Sequence, residues 1–535
     1  MRGLAPQQPE ALWPAKAYRG EVVPFQATAF REGHDLIGVR LIVTDPEGRK
    51  VTYRMRPVAP GTDRWQADVQ LAIAGEWSWQ VRAFTDDWAT WLHNAELKIP
   101  AGVDVDLMVT MGLALLNRAG TRKVVLDAIE AFTDPTVAAT AKLAIALNPA
   151  LTAAIEAKPL ASLVTESELL TMRVERERAG VGSWYEFFPR SEGAKQAKDG
   201  TWVSGTFRTA AKRLHAVRDM GFDVLYLPPI HPIGVTGRKG PNNTLVTKPG
   251  DPGSPWAIGG AEGGHDAIHP DLGTTKDFAY FVESATKLGL EIALDFALQA
   301  SPDHPWVTEH PEWFTTLADG SIAYAENPPK KYQDIYPINF DNDPLGIRAE
   351  VLRLLRHWIG LGVSIFRVDN PHTKPLQFWE EVLHEINTEF PNVVFLAEAF
   401  TRPAMMQSLA QVGFQQSYTY FTWRNTKLEL EEFFREISHD TSAFFRPNLF
   451  VNTPDILTEF LQFGGQPAYK IRAALAATAS PSWGVYAGFE LYEDVARAGS
   501  EENIDNEKYE YKQRDWAAAE NAGASLAPYL TRLNL

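Results

Sequence analysis

The sequence predicts an α/β protein built mainly on a barrel of eight parallel strands, preceded by a β-sandwich and a small helical module. Three patterns support this prediction. From Ser183 onward, short apolar runs alternate with amphipathic segments over about 350 residues, as in a (β/α)8 barrel. Residues 22–100 alternate apolar and polar positions in short runs separated by turn residues, as in an antiparallel sandwich. Residues 104–164 are instead dominated by Ala and Leu at helical spacing.

The N-terminal module, residues 1–103, is predicted to be a β-sandwich of the immunoglobulin-like type. Its strand candidates include Leu36–Val43, Trp65–Leu71 and Trp77–Phe84. The residues Asp45-Pro46-Glu47-Gly48 follow the first of these strands, and Asp, Pro and Gly are turn residues. Regularly spaced short strands of this kind indicate antiparallel pairing.

The second module, residues 104–170, is predicted to be helical. Apolar residues recur at helical spacing in Val124–Phe132 and in Val137–Ile145, while Gly and aromatic residues become rare. We therefore expect a small group of packed helices between the sandwich and the barrel.

The barrel is predicted to occupy residues 171–535. Amphipathic segments such as Phe378–Phe390 separate its strands, and the long irregular stretch Pro228–Ile268 is expected to lie over the catalytic face. The eight strand candidates are Trp184–Phe188, Val224–Leu227, Glu291–Phe296, Val363–Asp369, Val393–Glu398, Gln415–Phe421, Leu449–Asn452 and Gly484–Ala487.

Carboxylates stand at the carboxyl ends of three of these runs. Arg367 and Asp369 lie two residues apart in one strand and therefore share a face, so the guanidinium keeps Asp369 ionised. Glu398 closes the next strand, and Asp455 follows Asn448–Thr453. A single carboxylate in such a position often caps the next helix. Three of them, together with the arginine, favour an acid–base or nucleophilic site at the end of a barrel.

Composition excludes several classes of function. The net charge of −16 argues against nucleic acid or an anionic membrane surface as a partner. The absence of cysteine excludes disulfides and thiolate metal sites. Residues Met1–Gly20 contain no apolar segment of signal-peptide length, and no apolar run approaches the roughly 18 residues of a membrane span. We therefore expect a cytoplasmic protein.

The arrangement of these residues resembles the alpha-amylase family, glycoside hydrolase family 13. The resemblance implies that Asp369 is the nucleophile, Glu398 the proton donor and Asp455 the transition-state stabiliser, with Arg367 supporting the nucleophile. Two short stretches depart from the usual pattern of that family. They are D-F-A-L-Q-A from Asp295 and N-T-P-D ending at Asp455, where histidines are usually present.

Within that family the sequence is most similar to the maltosyltransferases that use maltose 1-phosphate as donor and α-1,4-glucan as acceptor, in which both departures are normal. The similarity extends through nearly the whole chain and implies glucan or glycogen elongation, no cofactor and a homodimer with residues 1–165 in the contact. Those enzymes continue into a C-terminal β-sandwich, which is absent here, so we expect a fragment or a naturally short form. The resemblance rests on Trp184–Ser191, Leu227–Gly234, Ala325–Pro337, Arg367–Lys374 and Ala397–Met406.

The same resemblance implies a set of substrate-binding residues. Asn327, Lys330 and Tyr332 are expected to hold the donor phosphate, although spacing alone favours a solvated lysine pair in a surface loop. Three further residues are expected to hold the maltosyl unit: Lys239, Gln299 and Lys508. Two more are expected to bind substrate: Asn370 and Tyr509.

His265 and His269 have the i, i+4 spacing of a metal-binding pair on a helix. Pro270 and the neighbouring glycines argue against a helix there, and no third ligand is evident. We therefore predict no catalytic metal.

Two other functions remain open from the residues. An amylase-type hydrolase would use the same carboxylates with water as the acceptor. A non-catalytic glucan-binding protein is a further alternative, although the intact Arg367 and the three intact carboxylates favour an enzyme.

Overall fold

The structure is a computed structural model that describes residues 1–9, 12–327 and 330–535. The chain divides into two compact units, Met1–Val174 and Glu175–Leu535. Each unit has hydrophobic cores of its own.

The first unit contains two sheets of mainly antiparallel strands. One sheet has the order β1-β3-β7-β6, and the other has the order β2-β10-β8-β4-β5, with β9 also paired to β8. Buried side chains of both sheets form one core, in which the rings of Phe25 and Trp79 meet edge to face at 5.1 Å. The strands are β1 Arg2–Ala5, β2 Ala15–Tyr18, β3 Val22–Thr28, β4 Ile37–Thr44, β5 Lys50–Arg54, β6 Arg56–Pro57, β7 Arg64–Gln70, β8 Gly75–Asp86, β9 Ala161–Glu166 and β10 Leu170–Glu175.

Five helices lie between β8 and β9 and enclose a second core around Trp88, Trp91 and Phe132. They are α1 Asp87–Lys98, α2 Val105–Arg118, α3 Lys123–Thr133, α4 Ala139–Ala146 and α5 Pro149–Ala157. The first helix begins well before residue 104, where the sequence placed the start of the helical module. It begins there because the Asp86 carboxylate accepts a hydrogen bond from the Ala89 amide and caps the helix directly after β8.

The second unit is an eight-stranded parallel barrel. Its strands follow the order β22-β21-β20-β15-β14-β11-β24-β23, and a parallel bridge between Ser417 and Pro447 joins the two ends of this order. Inward-facing side chains such as Trp184 and Ile365 fill the interior. The barrel strands are β11 Gly182–Glu186, β14 Val224–Leu227, β15 Glu291–Phe296, β20 Ile365–Val368, β21 Val394–Ala397, β22 Gln416–Ser417, β23 Leu449–Phe450 and β24 Ser482–Tyr486. Three two-stranded sheets lie in the connections, formed by β12 Lys195–Gln196 with β13 Trp202–Val203, β16 Gln299–Ala300 with β19 Tyr336–Pro337, and β17 Ala325–Asn327 with β18 Lys330–Tyr332.

Helices connect the barrel strands, and most carry an apolar stripe against the sheet, as in α8 with Phe278, Phe281 and Val282 buried. No helix in the described part of the chain is both long and apolar enough to cross a membrane. The helices are α6 Phe207–Ala210, α7 Leu214–Asp219, α8 Thr275–Lys287, α9 Pro305–Glu309, α10 Pro344–Gly360, α11 Leu376–Glu389, α12 Pro403–Val412, α13 Lys427–Arg435, α14 Glu459–Ala479, α15 Trp516–Asn521 and α16 Ala527–Asn534.

Candidate active site

The three predicted carboxylates follow three different barrel strands. Asp369 comes directly after β20, Glu398 directly after β21, and Asp455 lies in the loop after β23. Because the strands are parallel, their carboxyl ends meet at one end of the barrel. Arg367 lies within β20 and faces Asp295 across the ladder from β15.

The Arg367 guanidinium joins three carboxyl groups. Its Nη1 donates to Asp295 Oδ2 at 2.8 Å and to Asp369 Oδ1 at 2.9 Å, and its Nη2 lies 2.5 Å from Glu398 Oε1. The Arg367 residue is only 5% exposed. Charge-assisted hydrogen bonds in such a buried site are stronger than those at the surface. This one cation therefore fixes the geometry between Asp369 and Glu398.

The pKa values of Asp369 and Glu398 are shifted in opposite directions. Burial is the largest influence on the pKa of each and raises it. For Asp369 the charges of Arg367 and Lys374 outweigh burial, so the pKa lies below its ordinary value. For Glu398 burial prevails over Arg367, and the negative charge of Asp369 adds to it, so the pKa lies well above its ordinary value. The directions of these two shifts favour an ionised Asp369 and a protonated Glu398.

A protonated Glu398 can keep its contact with Arg367. A neutral carboxyl can still accept a hydrogen bond from a guanidinium through its carbonyl oxygen, Oε1, while its hydroxyl donates elsewhere. A hydrogen bond between the Glu398 and Asp369 side chains lowers the pKa of Asp369 and raises that of Glu398. The shared proton therefore resides on Glu398.

Asp295 is a fully buried carboxyl group of the candidate site. Its Oδ2 accepts hydrogen bonds from the Tyr226 hydroxyl at 2.5 Å, from Trp256 Nε1 at 3.3 Å and from Arg367. Burial, opposed by Arg367 and reinforced by the charge of Asp369, raises the pKa of Asp295 to about 7. The carboxyl group is therefore partly protonated near neutral pH.

Asp455 and Lys508 form an ion pair at the other side of the site. Lys508 Nζ lies 2.8 Å from Asp455 Oδ2 and 5.1 Å from the centre of the Trp256 ring. Burial lowers the pKa of Lys508, but the charge of Asp455 outweighs it and the pKa is raised. Tyr509 is adjacent, with its ring centre 5.9 Å from the ammonium. The structure thus brings together Asp455, Lys508 and Tyr509, which the sequence analysis named separately.

Gln299 and Lys239 contact the loops around this ion pair. Gln299 Nε2 donates to the Trp256 carbonyl at 3.1 Å, and Lys239 Nζ donates to Gln333 Oε1 at 2.6 Å. Lys239 is 4% exposed, so its ammonium is held inside the protein. Both side chains end in hydrogen-bond donors, which suit the hydroxyl groups of a sugar.

Asn370 lies between the two catalytic carboxyls. Its backbone φ of 42° is in the left-handed region, which Asn adopts more readily than most residues. In this conformation the Asn370 amide points to Glu398 Oε2 at 3.4 Å, and its Nδ2 lies 3.5 Å from Asp369 Oδ2.

The expected phosphate-binding residues lie on the β17–β18 hairpin. Asn327 and Lys330 are register partners in this hairpin, but their side chains lie outside the described part of the structure, as do Pro328 and Pro329. Tyr332 is partly buried and packs against the apolar cluster formed by Ile233, Ala257 and Ile335. Lys331, the other lysine of the pair, is bound to Glu326 at 3.3 Å across the hairpin.

The sequence analysis missed three residues of this site. Trp256 contacts Asp295, Gln299 and Lys508, but it lies in an irregular loop whose sequence has no strand or helix periodicity. Tyr226 has the sequence pattern of an ordinary strand residue. Lys374, which is 8% exposed, lies in the Arg367–Lys374 segment, but the sequence analysis gave it no role. Glu186, outside these contacts, also ends a strand, β11, in the pattern that identified Asp369, but the sequence analysis did not single it out.

The two histidines considered as a metal pair have other partners. His265 Nε2 faces the Ala297 carbonyl at 2.8 Å, and its Nδ1 faces His304 Nε2 at 3.0 Å. Within residues 1–9, 12–327 and 330–535 no group of three or more His, Asp or Glu residues is arranged to hold a metal ion. His269 instead caps the short 3-10 helix Pro270–Leu272 through its Nδ1.

Known proteins resemble this chain over most of its length. The family profile described as "Alpha-1,4-glucan:maltose-1-phosphate maltosyltransferase, domain N/S" matches residues 2–176. Alpha-1,4-glucan:maltose-1-phosphate maltosyltransferase 1 of Streptomyces coelicolor is 58% identical over 530 residues, which cover 97% of this chain and 78% of that protein. The enzyme of the same name from Mycobacterium tuberculosis is 48% identical over 571 aligned positions, covering 99% and 80% of the two chains.

A solved structure supports the barrel fold. A variant of the trehalose-6-phosphate hydrolase of Bacillus licheniformis superposes with a TM-score of 0.50 at 15% sequence identity. The match covers 66% of this chain and 82% of that chain. At this identity the likeness concerns the fold alone.

Proposed function

This chain belongs to the alpha-1,4-glucan:maltose-1-phosphate maltosyltransferase family, and we propose that it transfers maltosyl units from α-maltose 1-phosphate to the non-reducing 4-hydroxyl of α-1,4-glucans. Inorganic phosphate is the second product. The observation that carries this proposal is the contact of Arg367 with both Asp369 and Glu398, whose lowered and raised pKa values favour an ionised Asp369 and a protonated Glu398. Retaining transfer needs a nucleophile and an acid in those two states.

In the first step Asp369 attacks C1 of the donor while the bond from C1 to the phosphate oxygen breaks. Glu398 gives its proton to the departing phosphate, and a β-maltosyl ester forms on Asp369. The two carboxyls are hydrogen-bonded to each other, closer than the roughly 6.5–9.5 Å of inverting enzymes, which need room for a water molecule. The geometry therefore favours a covalent intermediate.

In the second step Glu398 acts as a base. It takes the proton of the acceptor 4-hydroxyl, whose oxygen attacks C1 and displaces Asp369. Asp369 regains its charge beside Arg367, and Glu398 regains its proton. Two inversions at C1 give net retention of the α configuration.

Asp455 and Lys508 are proposed to bind hydroxyl groups of the donor. The Asp455 Oδ1 atom is buried without a hydrogen-bond partner among the described residues, and so is Asp295 Oδ1. A sugar hydroxyl would satisfy either oxygen. Lys239, Gln299 and Tyr509 are proposed to complete the sugar contacts.

The phosphate of the donor is proposed to lie against the β17–β18 hairpin. Asn327, Lys330 and Tyr332 are its proposed ligands, with Asn370 between the phosphate and the catalytic pair. A phosphate monoester carries close to two charges at neutral pH, and ammonium, amide and phenol donors suit it. Support comes from the resemblance, which assigns Lys330 to the phosphate, whereas Lys331 is paired with Glu326.

The proposed reaction is tested by its two products. The protein is incubated with α-maltose 1-phosphate and maltohexaose, and phosphate release is measured together with the chain length of the glucan. We expect phosphate in equal amount to transferred maltosyl units and products longer by two glucose units. The Asp369→Asn variant is the matched control and should give neither product.

The alternatives predict different results in the same assay. Shortening of the glucan without phosphate release would overturn the transferase and indicate an amylase-type hydrolase. Binding of maltohexaose without any product would instead indicate a non-catalytic glucan-binding protein.

A homodimer and a cytoplasmic location are further parts of the proposal. Helices α1 and α2 expose Leu97, Leu107 and Met111 by 61%, 53% and 44%, which is more apolar surface than a solvated helix face requires. A phosphorylated donor and the absence of cysteine suit the reducing interior of a cell.

A further inference from the structure

Glu186 is a carboxyl group inside the barrel that the mechanism above does not use. It is the last residue of β11, in parallel register with Tyr226 of β14 and Tyr486 of β24. Trp184, two residues earlier, belongs to the barrel interior, so Glu186 points inward as well, one layer nearer the catalytic end. The residue is 2% exposed.

The side chain of Glu186 is not satisfied. Its Oε2 atom is buried and has no hydrogen-bond partner within the described part of the chain. Leaving a buried polar atom unpaired is unfavourable, and such atoms in native proteins call for an explanation. A leucine or methionine would fill the same space without this cost.

Glu186 lies beside the contacts of Arg367, because its register partner Tyr226 donates to Asp295, which Arg367 also contacts. Arg367 already contacts Asp295, Asp369 and Glu398, and a further negative charge would compete for it. Burial is the main reason that the pKa of Glu186 lies well above its ordinary value; Arg367 opposes this shift, and the carboxyls add to it. The charged groups that shift the pKa of Glu186 include Asp295, Arg367, Glu398 and Asp455. The charge of Glu186 in turn raises the pKa of Tyr226 and of Tyr418.

We propose that Glu186 is a positioning residue of the transfer reaction: an uncharged carboxyl in the barrel interior that leaves the positive charge of Arg367 to Asp369 and Glu398. This inference rests on the proposed function. As a neutral acid, Glu186 keeps polar volume and one O–H donor beneath the catalytic end without adding a negative charge to the site. If Glu186 lost its proton, its charge would attract Arg367 and weaken the hold on Asp369 and Glu398.

The replacement Glu186→Gln tests the proposal because an amide has the same size and is never charged. We expect kcat/KM for maltose 1-phosphate at pH 7 to stay within about threefold of the wild type. We also expect the alkaline limb of the pH profile to move to higher pH and to become shallower, since one of two disabling proton losses is removed. Glu186→Met is likewise uncharged and should shift the limb in the same direction, with a lower kcat/KM.

A matched control is available at Glu192. Burial raises the pKa of this carboxyl to about 7, but its charged neighbours are Arg213, Glu490, Glu507 and Arg514, outside the catalytic cluster. Glu192→Gln should therefore leave the alkaline limb unchanged. A packing defect at Glu186 would lower kcat/KM at every pH without moving the limb.

A second measurement reads the proton directly. The infrared difference spectrum of wild type minus Glu186→Gln at pH 7 should contain the carbonyl stretch of a protonated carboxylic acid. A carboxylate band in its place would overturn the proposal, and so would an unmoved alkaline limb or a collapse of activity at pH 7. Failure of Glu186→Gln to fold would count against it too, because an amide should replace an uncharged carboxyl readily. If the wild type releases no phosphate, the proposed function fails, whereas the infrared comparison still decides the charge of Glu186.

Discussion

Replacing Arg367 by lysine tests the central contact of the site. The guanidinium reaches Asp295 and Asp369 through Nη1 and Glu398 through Nη2. A lysine keeps the positive charge but has one nitrogen on a shorter side chain, so it cannot reach both sides of the site. We expect Arg367→Lys to retain the contact with Asp369 and to lose the contact with Glu398.

The size of the effect follows from the lost hydrogen bond. A hydrogen bond to a charged group contributes about 1.5–3 kcal/mol, and each 1.36 kcal/mol corresponds to a factor of ten. The expected loss in kcat/KM is therefore roughly ten- to two-hundred-fold. Arg367→Met breaks all three contacts, which at about 3–5 kcal/mol for a broken buried pair corresponds to a loss of a few hundred- to several thousand-fold.

Phosphate release from maltose 1-phosphate with maltohexaose as acceptor measures kcat/KM across pH. The charge of Arg367 lowers the pKa of Glu398 against the effect of burial. Weakening this contact raises the pKa of Glu398 further, so the alkaline limb, where the acid loses its proton, should move to higher pH in Arg367→Lys.

Arg213 provides the matched control. It is 8% exposed and donates to Glu490 at 2.8 Å and to the Tyr185 hydroxyl at 3.1 Å, away from the catalytic carboxyls. Arg213→Lys should lower thermal stability and leave kcat/KM nearly unchanged. Our account of Arg367 is wrong if Arg367→Lys keeps kcat/KM within threefold with an unmoved alkaline limb, or if both variants lose activity equally.

Four further expectations follow from the same structure. Asp369→Ala should abolish maltosyl transfer without lowering the thermal unfolding temperature by more than a few degrees, and measurable transfer would refute its role as nucleophile. Glu398→Ala should accumulate a β-maltosyl adduct on the protein from α-maltosyl fluoride, which needs little acid help to leave, and intact-protein mass spectrometry would reveal its absence. Leu107→Glu should convert the proposed dimer into a monomer, as measured by light scattering, and a monomeric wild type would refute the dimer. Burial lowers the pKa of His231 to about 4; an unfolded histidine near 6.5 binds a proton first, so the free energy of unfolding should fall from pH 6.5 toward 4, and His231→Gln should show a shallower fall.

The barrel was predictable because its strands are buried on both faces and therefore read as apolar runs. Each of the eight candidate strands overlaps a strand of the structure, although the ends differ. Gln415–Phe421 is the largest difference: only Gln416–Ser417 is a strand, and Tyr420–Trp423 forms a 3-10 helix. Aromatic side chains that pack in a loop have the same apolar pattern as those in a strand, so the pattern alone overstated its length.

Within the candidate site, the carboxyls at the strand ends were predictable, and the residues that lie on the surrounding loops were not. Asp369 and Glu398 follow apolar runs directly, so strand periodicity locates them. Lys508 meets Asp455 across 53 residues, and Trp256 reaches Asp295 across 39, so both contacts depend on how the loops fold back. Local sequence carries no information about such pairings. Resemblance alone suggested Lys508, and nothing suggested Trp256.

The pairing of the first barrel strand with the last has a consequence for how the protein is made. Ser183 of β11 lies beside Trp483 of β24, three hundred positions later in the chain. During synthesis on the ribosome, the edge of β11 that pairs with β24 therefore stays unpaired until nearly all of the barrel has been synthesised. Contacts of such long range slow folding and leave apolar strand edges exposed meanwhile. A nascent chain arrested before Ser482 would thus carry Asp369 and Glu398 without a closed barrel around them.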